Sequence, residues 1–152
     1  MKTIALTQGL EAIVDDADYE WLMQWKWCAN KAGNTHYAIR SVRLPNGKQT
    51  NEYMHRAILG LEKGDRREGD HINHEGLDNR RANIRIVTKQ ENRFNQKHKG
   101  HWWVEAKHKW VAQIQVNGRS THIGYFDTAN KARRAYLRAK ATYHVIRGHQ
   151  DA

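Results

Sequence analysis

The segment Gly69-Asp70-His71-Ile72-Asn73-His74-Glu75-Gly76-Leu77-Asp78-Asn79-Arg80-Arg81-Ala82-Asn83-Ile84-Arg85-Ile86-Val87-Thr88 constrains the fold more than any other stretch. It predicts a short strand ending near Ile72, a long polar loop, and a second strand from Ile84 to Val87. Thr88 then caps a helix running from Lys89 to about Gln96, and Thr88-x-x-Glu91 has the pattern of a capping box.

Short elements punctuated by turns surround this segment. Residues 3–14 read as two short strands broken near Gln8-Gly9, and Asp15 or Asp16 caps a short helix through Asp18–Met23. Trp25, Trp27 and Ala29 alternate as on a half-buried strand, and three Trp within seven residues predict a small N-terminal core. A loop is expected over Asn30–Thr35. Strands over His36–Arg43 and Thr50–Met54 are joined by the turn Leu44-Pro45-Asn46-Gly47, and a short helix over Met54–Leu59 ends at Gly60. Lys97–Gly100 reads as a linker. Beyond it come strands over His101–Glu105, Trp110–Val116 and Arg119–Phe126. Asn117-Gly118 marks a hairpin, and Thr128 caps a helix to about Ile146, stopped by Gly148. Ala132, Ala135, Tyr136, Ala139, Tyr143 and Ile146 share one face of that helix.

Charge narrows the function. The 152 residues carry 26 Lys/Arg against 16 Asp/Glu, a net of +10. Residues 1–98 hold 16 Lys/Arg and 13 Asp/Glu, a net of +3, whereas residues 99–152 hold 10 and 3, a net of +7. Such a tail is an electrostatic footprint for a phosphate backbone, although a solvated basic surface has the same composition. The acidic N-terminal segment is expected to face away from nucleic acid. One cysteine, Cys28, excludes a disulfide framework and a cysteine-cluster zinc site. No apolar run reaches membrane-spanning length and the N-terminus does not read as a signal peptide, so an intracellular, cytoplasmic setting is expected. His74-Glu75 lacks the second histidine of a metalloprotease helix, and Ile72 stands where a calcium loop needs an oxygen ligand.

Asp70, His71 and Asn92 carry the chemistry. Asp70 is a hard oxygen ligand suited to Mg²⁺, an Asn92 amide oxygen can complete the pair, and His71 can take a proton from water near neutral pH. Metal, base and basic surface together suit phosphodiester hydrolysis. The same residues also read as a turn pair and an ordinary polar residue at a helix start, and their spacing alone does not choose.

Asp70-His71-Ile72-Asn73, Leu77-Asp78-Asn79-Arg80-Arg81-Ala82-Asn83-Ile84-Arg85, Thr88 and Asn92 resemble the HNH endonucleases of the phage and intron-encoded homing type, with intervals of 12 from His71 to Asn83 and 9 from Asn83 to Asn92. Tyr53-Met54-His55-Arg56 resembles the segment preceding that motif. The resemblance implies a ββα-metal nuclease core acting on double-stranded DNA with Mg²⁺ or another divalent metal such as Mn²⁺, in a phage-infected host cell. His71 would be the general base, Asp70 and Asn92 the metal ligands, and Asn83 the residue tying the loop together. Asn92 replaces the family's final histidine. His55 would be structural first and phosphate-contacting second.

Lys99-Gly100, Trp110-Val111-Ala112-Gln113-Ile114, Gly118, Gly124-Tyr125-Phe126-Asp127-Thr128 and Ala132-x-x-Ala135-Tyr136 resemble an AP2/ERF-type DNA-binding domain, which lays its sheet in the major groove. This implies that Trp110, Ala112, Ile114 and Val116 face the helix, leaving Gln113 and Gln115, with Ser120 and His122 on the next strand, towards DNA. Lys99 and Trp102 are further candidates. Plant members carry Arg at several of these places and this chain does not, so its target would differ.

The expected fold is α+β. Residues 1–97 hold the HNH nuclease with a small N-terminal β-rich region, and residues 98–152 hold a three-stranded antiparallel sheet plus one helix. The expected function is a metal-dependent DNA endonuclease, with a DNA-binding regulator built on an inert nuclease fold as the alternative. A monomer and a homodimer fit the sequence equally.

Overall fold

The computed structural model describes residues 1–147. Among them are four α-helices and four small antiparallel sheets, a mixed α+β architecture. The chain packs as two compact units, Met1–Lys89 and Gln90–Arg147. The division falls before the Lys97–Gly100 stretch that the sequence suggested as a linker.

In the first unit β1 (Lys2–Ala5) pairs with β2 (Glu11–Val14) around a 3-10 turn at Thr7–Gly9. Helix α1 (Asp16–Leu22) follows, with Asp15 as its N-cap residue. Asp15 makes no side-chain cap bond; its carboxylate accepts instead from the Arg81 backbone N–H at 2.8 Å. Strands β3 (Cys28–Ala32), β4 (Thr35–Arg43) and β5 (Gln49–Tyr53) form a three-stranded sheet, and α2 (Met54–Ile58) follows directly. Gly60, at φ +66°, lets the chain leave α2 in the left-handed region that side chains resist. β6 (Glu68–His71) and β7 (Ile84–Val87) close a two-stranded sheet.

The core of this unit gathers Ile4, Val14, Leu22, Trp27, Met54, Ile58 and Ile84. Burying an aliphatic side chain such as Leu22 or Val14 contributes about 1.5–3 kcal/mol. The expected Trp strand is corrected here. The chain turns at residues 23–25 and joins a strand only from Cys28, and of the three Trp only Trp27 is buried, its Nε1 donating to Leu22 O at 2.9 Å. Trp25 is exposed and stacks on the Arg40 guanidinium, 3.7 Å from its ring centre. The expected loop at Asn30–Thr35 is mostly β structure, with the reversal confined to Gly33-Asn34.

In the second unit α3 (Lys89–Asn95, from Gln90 on) precedes β8 (His101–Val104), β9 (Lys109–Val116) and β10 (Arg119–Phe126), ordered β10-β9-β8 and antiparallel throughout. Asn117 and Gly118 both have positive φ, as a two-residue hairpin turn requires. Helix α4 (Ala129–Tyr143) begins where Thr128 Oγ1 accepts from Lys131 N, and its Ala132 and Tyr136 pack on Ala112 and Ile114. α4 ends at Tyr143, earlier than the expected Ile146, and Tyr143 is exposed; Gly148, the expected stop, lies outside the described residues. Gly100 is fixed by two constraints: its φ is +67°, and a Cβ there would stand 2.1 Å from the Tyr136 ring.

Candidate active site

The antiparallel register of β6 and β7 sets Asp70 opposite Arg85 and His71 opposite Ile84. Asp70 and His71 are both buried. Asp70 Oδ2 accepts from Arg85 Nε at 2.9 Å and Nη2 at 2.8 Å. His71 Nε2 lies 3.2 Å from Asn79 Oδ1. Asn79 Nδ2 donates to Leu77 O at 3.3 Å, which leaves its oxygen towards the ring. His71 Nε2 therefore carries the proton and donates it, so Nδ1 is the basic nitrogen. Burial holds the His71 pKa below the ordinary histidine value, partly offset by the Asn79 hydrogen bond and the charges of Asp70 and Asp78. His71 is thus a neutral base at physiological pH.

The loop between the two strands is fastened from several sides. Asn83 Nδ2 donates to Asp78 O at 2.8 Å, and Asn83 Oδ1 accepts from Asn73 N at 3.1 Å. Asn73 Nδ2 donates to Asp78 Oδ2 at 3.0 Å, while Arg80 donates to both oxygens of Asp78 at 2.7 and 2.6 Å. The Arg80 hydrogen bond keeps the Asp78 carboxyl below its usual range. The N-terminal elements complete the clamp. Ile13 donates to Leu77 O and accepts from Asn79 N, both at 2.8 Å, and Arg81 spans both oxygens of buried Asp18 at 2.8 and 2.7 Å. Two of the N-terminal acids, Asp15 and Asp18, therefore serve to hold the loop.

Behind His71 lies an aromatic nest. The His55 ring meets His71 edge to face at 4.7 Å, and Tyr37 and Tyr53 pack on His55 at 5.9 and 5.6 Å. Burial pushes the His55 pKa down to about 3, with His71 and Arg56 adding to the shift, so His55 is neutral. Gly69 makes this packing possible, since a Cβ there would lie 2.4 Å from the His55 ring.

Residues 52–94 match the family model of the HNH endonucleases. The matched range runs from the end of β5 through α2, β6 and β7 to Phe94 of α3. No curated protein and no solved structure matches the chain. Asp70, His71, Asn83 and Asn92 all fall within the HNH segment. Asp70 and His71 stand on β6, and Asn83 ends the loop that leads from it to β7. Asn92 sits on α3, in the part of that helix packed with the second unit.

Among the described residues no three His, Cys, Asp or Glu side chains gather as a metal cluster. A hard divalent ion needs only one or two protein oxygens when water and phosphate complete its shell, and the Asp70 carboxylate beside a neutral histidine fits that demand. The described residues also hold no helix long and apolar enough to cross a membrane.

On the second unit the strand pairing puts Trp102, Gln113, Gln115, Ser120 and His122 on one face of the sheet, away from α4. Lys99 precedes β8 rather than lying on it. Val111 shares this outer face yet is buried, paired with Trp102 on one side and Tyr125 on the other. Sequence reasoning passed over His55 as a ring partner of His71, and also Asn79, Arg85 and Tyr125. Arg85 was the one within reach, because any hairpin pairing His71 with Ile84 puts it opposite Asp70.

Proposed function

We propose that the chain is a divalent-metal-dependent HNH endonuclease that hydrolyses phosphodiester bonds of double-stranded DNA, of the homing type its motif resembles. The observation that carries the reading is His71, buried and neutral at the end of β6 beside Asp70, inside the segment that matches the HNH endonucleases. His71 Nδ1 takes a proton from the attacking water while Asn79 holds Nε2–H, and Asn83 keeps the loop closed around both. A divalent ion bound by Asp70 and Asn92 would stabilise negative charge on the scissile phosphate and the leaving 3′ oxygen. The products are 5′-phosphate and 3′-hydroxyl ends. The outer sheet face of the second unit, with Trp102, Gln113, Gln115, Ser120 and His122 and the nearby Lys99, binds DNA in the AP2/ERF-like manner its sequence resembles.

A second reading, a DNA-binding regulator without cleavage, draws support from one contact: Arg85 grips Asp70 through two hydrogen bonds and competes for the carboxylate. Nicking of supercoiled plasmid by the full chain, with Mg²⁺ or Mn²⁺ and then with chelator, separates the two. Metal-dependent relaxed product supports the endonuclease. Tight binding without nicking under every metal condition supports the regulator.

A further inference from the structure

The second unit contains a cleft of about 690 Å³. Trp102, Gln113, Gln115 and Ser120 contribute to it from the sheet, and Gln90, Arg93 and Phe94 from α3. The helix is fastened there by contacts within the unit. Phe94 stacks on His144 at 4.1 Å with the rings 10° from parallel, and His144 Nε2 lies 2.7 Å from Gln115 O. Gln90 Nε2 donates to Asn117 Oδ1 at 3.1 Å, and Lys140 Nζ donates to Gln96 O at 2.9 Å. The neighbouring backbone is also held, since Arg133 Nη1 donates to His98 O at 2.7 Å and Lys99 O at 2.8 Å.

The chemistry of the lining is one-sided. Arg93 and Lys99 bring positive charge, the glutamines bring amides that both donate and accept, Trp102 offers an exposed ring, and no Asp or Glu lines the cleft. Arg93 is exposed and its guanidinium pairs with no carboxylate among the described residues. A carboxylate-free cleft that brings cations, amides and an exposed ring together, beside the apolar Ile114 and Tyr136, suits a phosphodiester strand with its bases.

We propose that this groove seats one strand of duplex DNA, and that Arg93 of α3 is a phosphate contact additional to the sheet. The proposal rests on the reading of the sheet face as a DNA surface and extends it to the helix. Asn92 does not line the groove, whereas Gln90, Arg93 and Phe94 do. The helical spacing of 100° per residue turns Asn92 away from them, so Arg93 can be changed without touching the proposed metal ligand.

The test is equilibrium binding of the full chain to a labelled mixed-sequence DNA duplex, in chelator, across a salt series. The variants are Arg93→Ala, the pair Gln113→Ala with Gln115→Ala, and Arg134→Ala on exposed α4 as a control for lost charge. Circular dichroism melting verifies that each is folded. Arg93→Ala is expected to weaken binding about three- to tenfold and to reduce the salt slope by about 0.9, with Arg134→Ala near wild type. Should Arg93→Ala match wild type or Arg134→Ala while the glutamine pair loses affinity, the helix contact is overturned and the sheet reading stands. If the glutamine pair and Arg93→Ala both bind as wild type, both fall. An effect of Arg93→Ala on duplex RNA but not on DNA also overturns the proposal.

Discussion

His71 Nε2 and Asn79 Oδ1 stand 3.2 Å apart, with the Asn79 amide oriented by its own bond to Leu77 O. That pair fixes which ring nitrogen is basic. Asn79→Leu removes the acceptor at similar volume and is expected to slow single-turnover cleavage about 10- to 100-fold, the usual weight of a group that orients a ligand or base. Asn79→Asp keeps an acceptor and should retain more activity than the leucine variant. Equal rates for the two would contradict the orienting role.

The neutral His55 makes stability depend on pH. Its pKa is about 3 in the folded chain against about 6.5 when unfolded. Between those values the unfolded state binds a proton that the native state refuses, so stability is fully present above about pH 6.5 and falls as pH drops towards 3. One such proton corresponds to about 1.4 kcal/mol per pH unit, and His71, shifted the same way, steepens the fall. Urea unfolding between pH 7 and 5 measures it, and a flat profile would refute a buried neutral His55.

Arg81 is partly exposed, but Asp18, which it pairs with, is buried. Arg81→Ala leaves that carboxylate with the Trp21 Nε1 bond alone among the described residues, and is expected to cost about 2 kcal/mol. Urea denaturation reads the loss. Asp18→Asn combined with Arg81→Ala should recover part of it, because no buried charge remains.

Gly100→Ala meets both a left-handed backbone and the Tyr136 ring. It should lower the stability of the second unit by more than 2 kcal/mol, seen as loss of DNA binding and early melting. Gly118→Ala, at φ +76° with open space around its Cβ position, meets the backbone strain alone and should cost less.

Local signals carried most of the element reading. Asn117-Gly118, Thr128 and Gly60 act through backbone preferences that need no tertiary partner, and the strands and helices beside them fall close to their expected bounds. Trp25 and Trp27 misled because alternation requires an extended backbone, and packing of Trp27 under Leu22 turned the chain instead. Asp70, His71 and Asn83 come close together on β6 and its following loop because the motif that holds them is contiguous in sequence. The seat of the His55 ring on His71 and the Arg81–Asp18 pair were not legible, since they join elements far apart in the chain that meet only after folding. The boundary at Lys89 was equally hidden: what draws α3 to the second unit is Phe94 against His144, a contact that no local pattern announces.

The most direct test of the account is single-turnover cleavage of DNA by His71→Ala at saturating protein and Mg²⁺, with binding measured in parallel. The rate should fall by about 10²–10⁴, unrelieved by added metal, with DNA affinity unchanged. Cleavage by His71→Ala at the wild-type rate would contradict it.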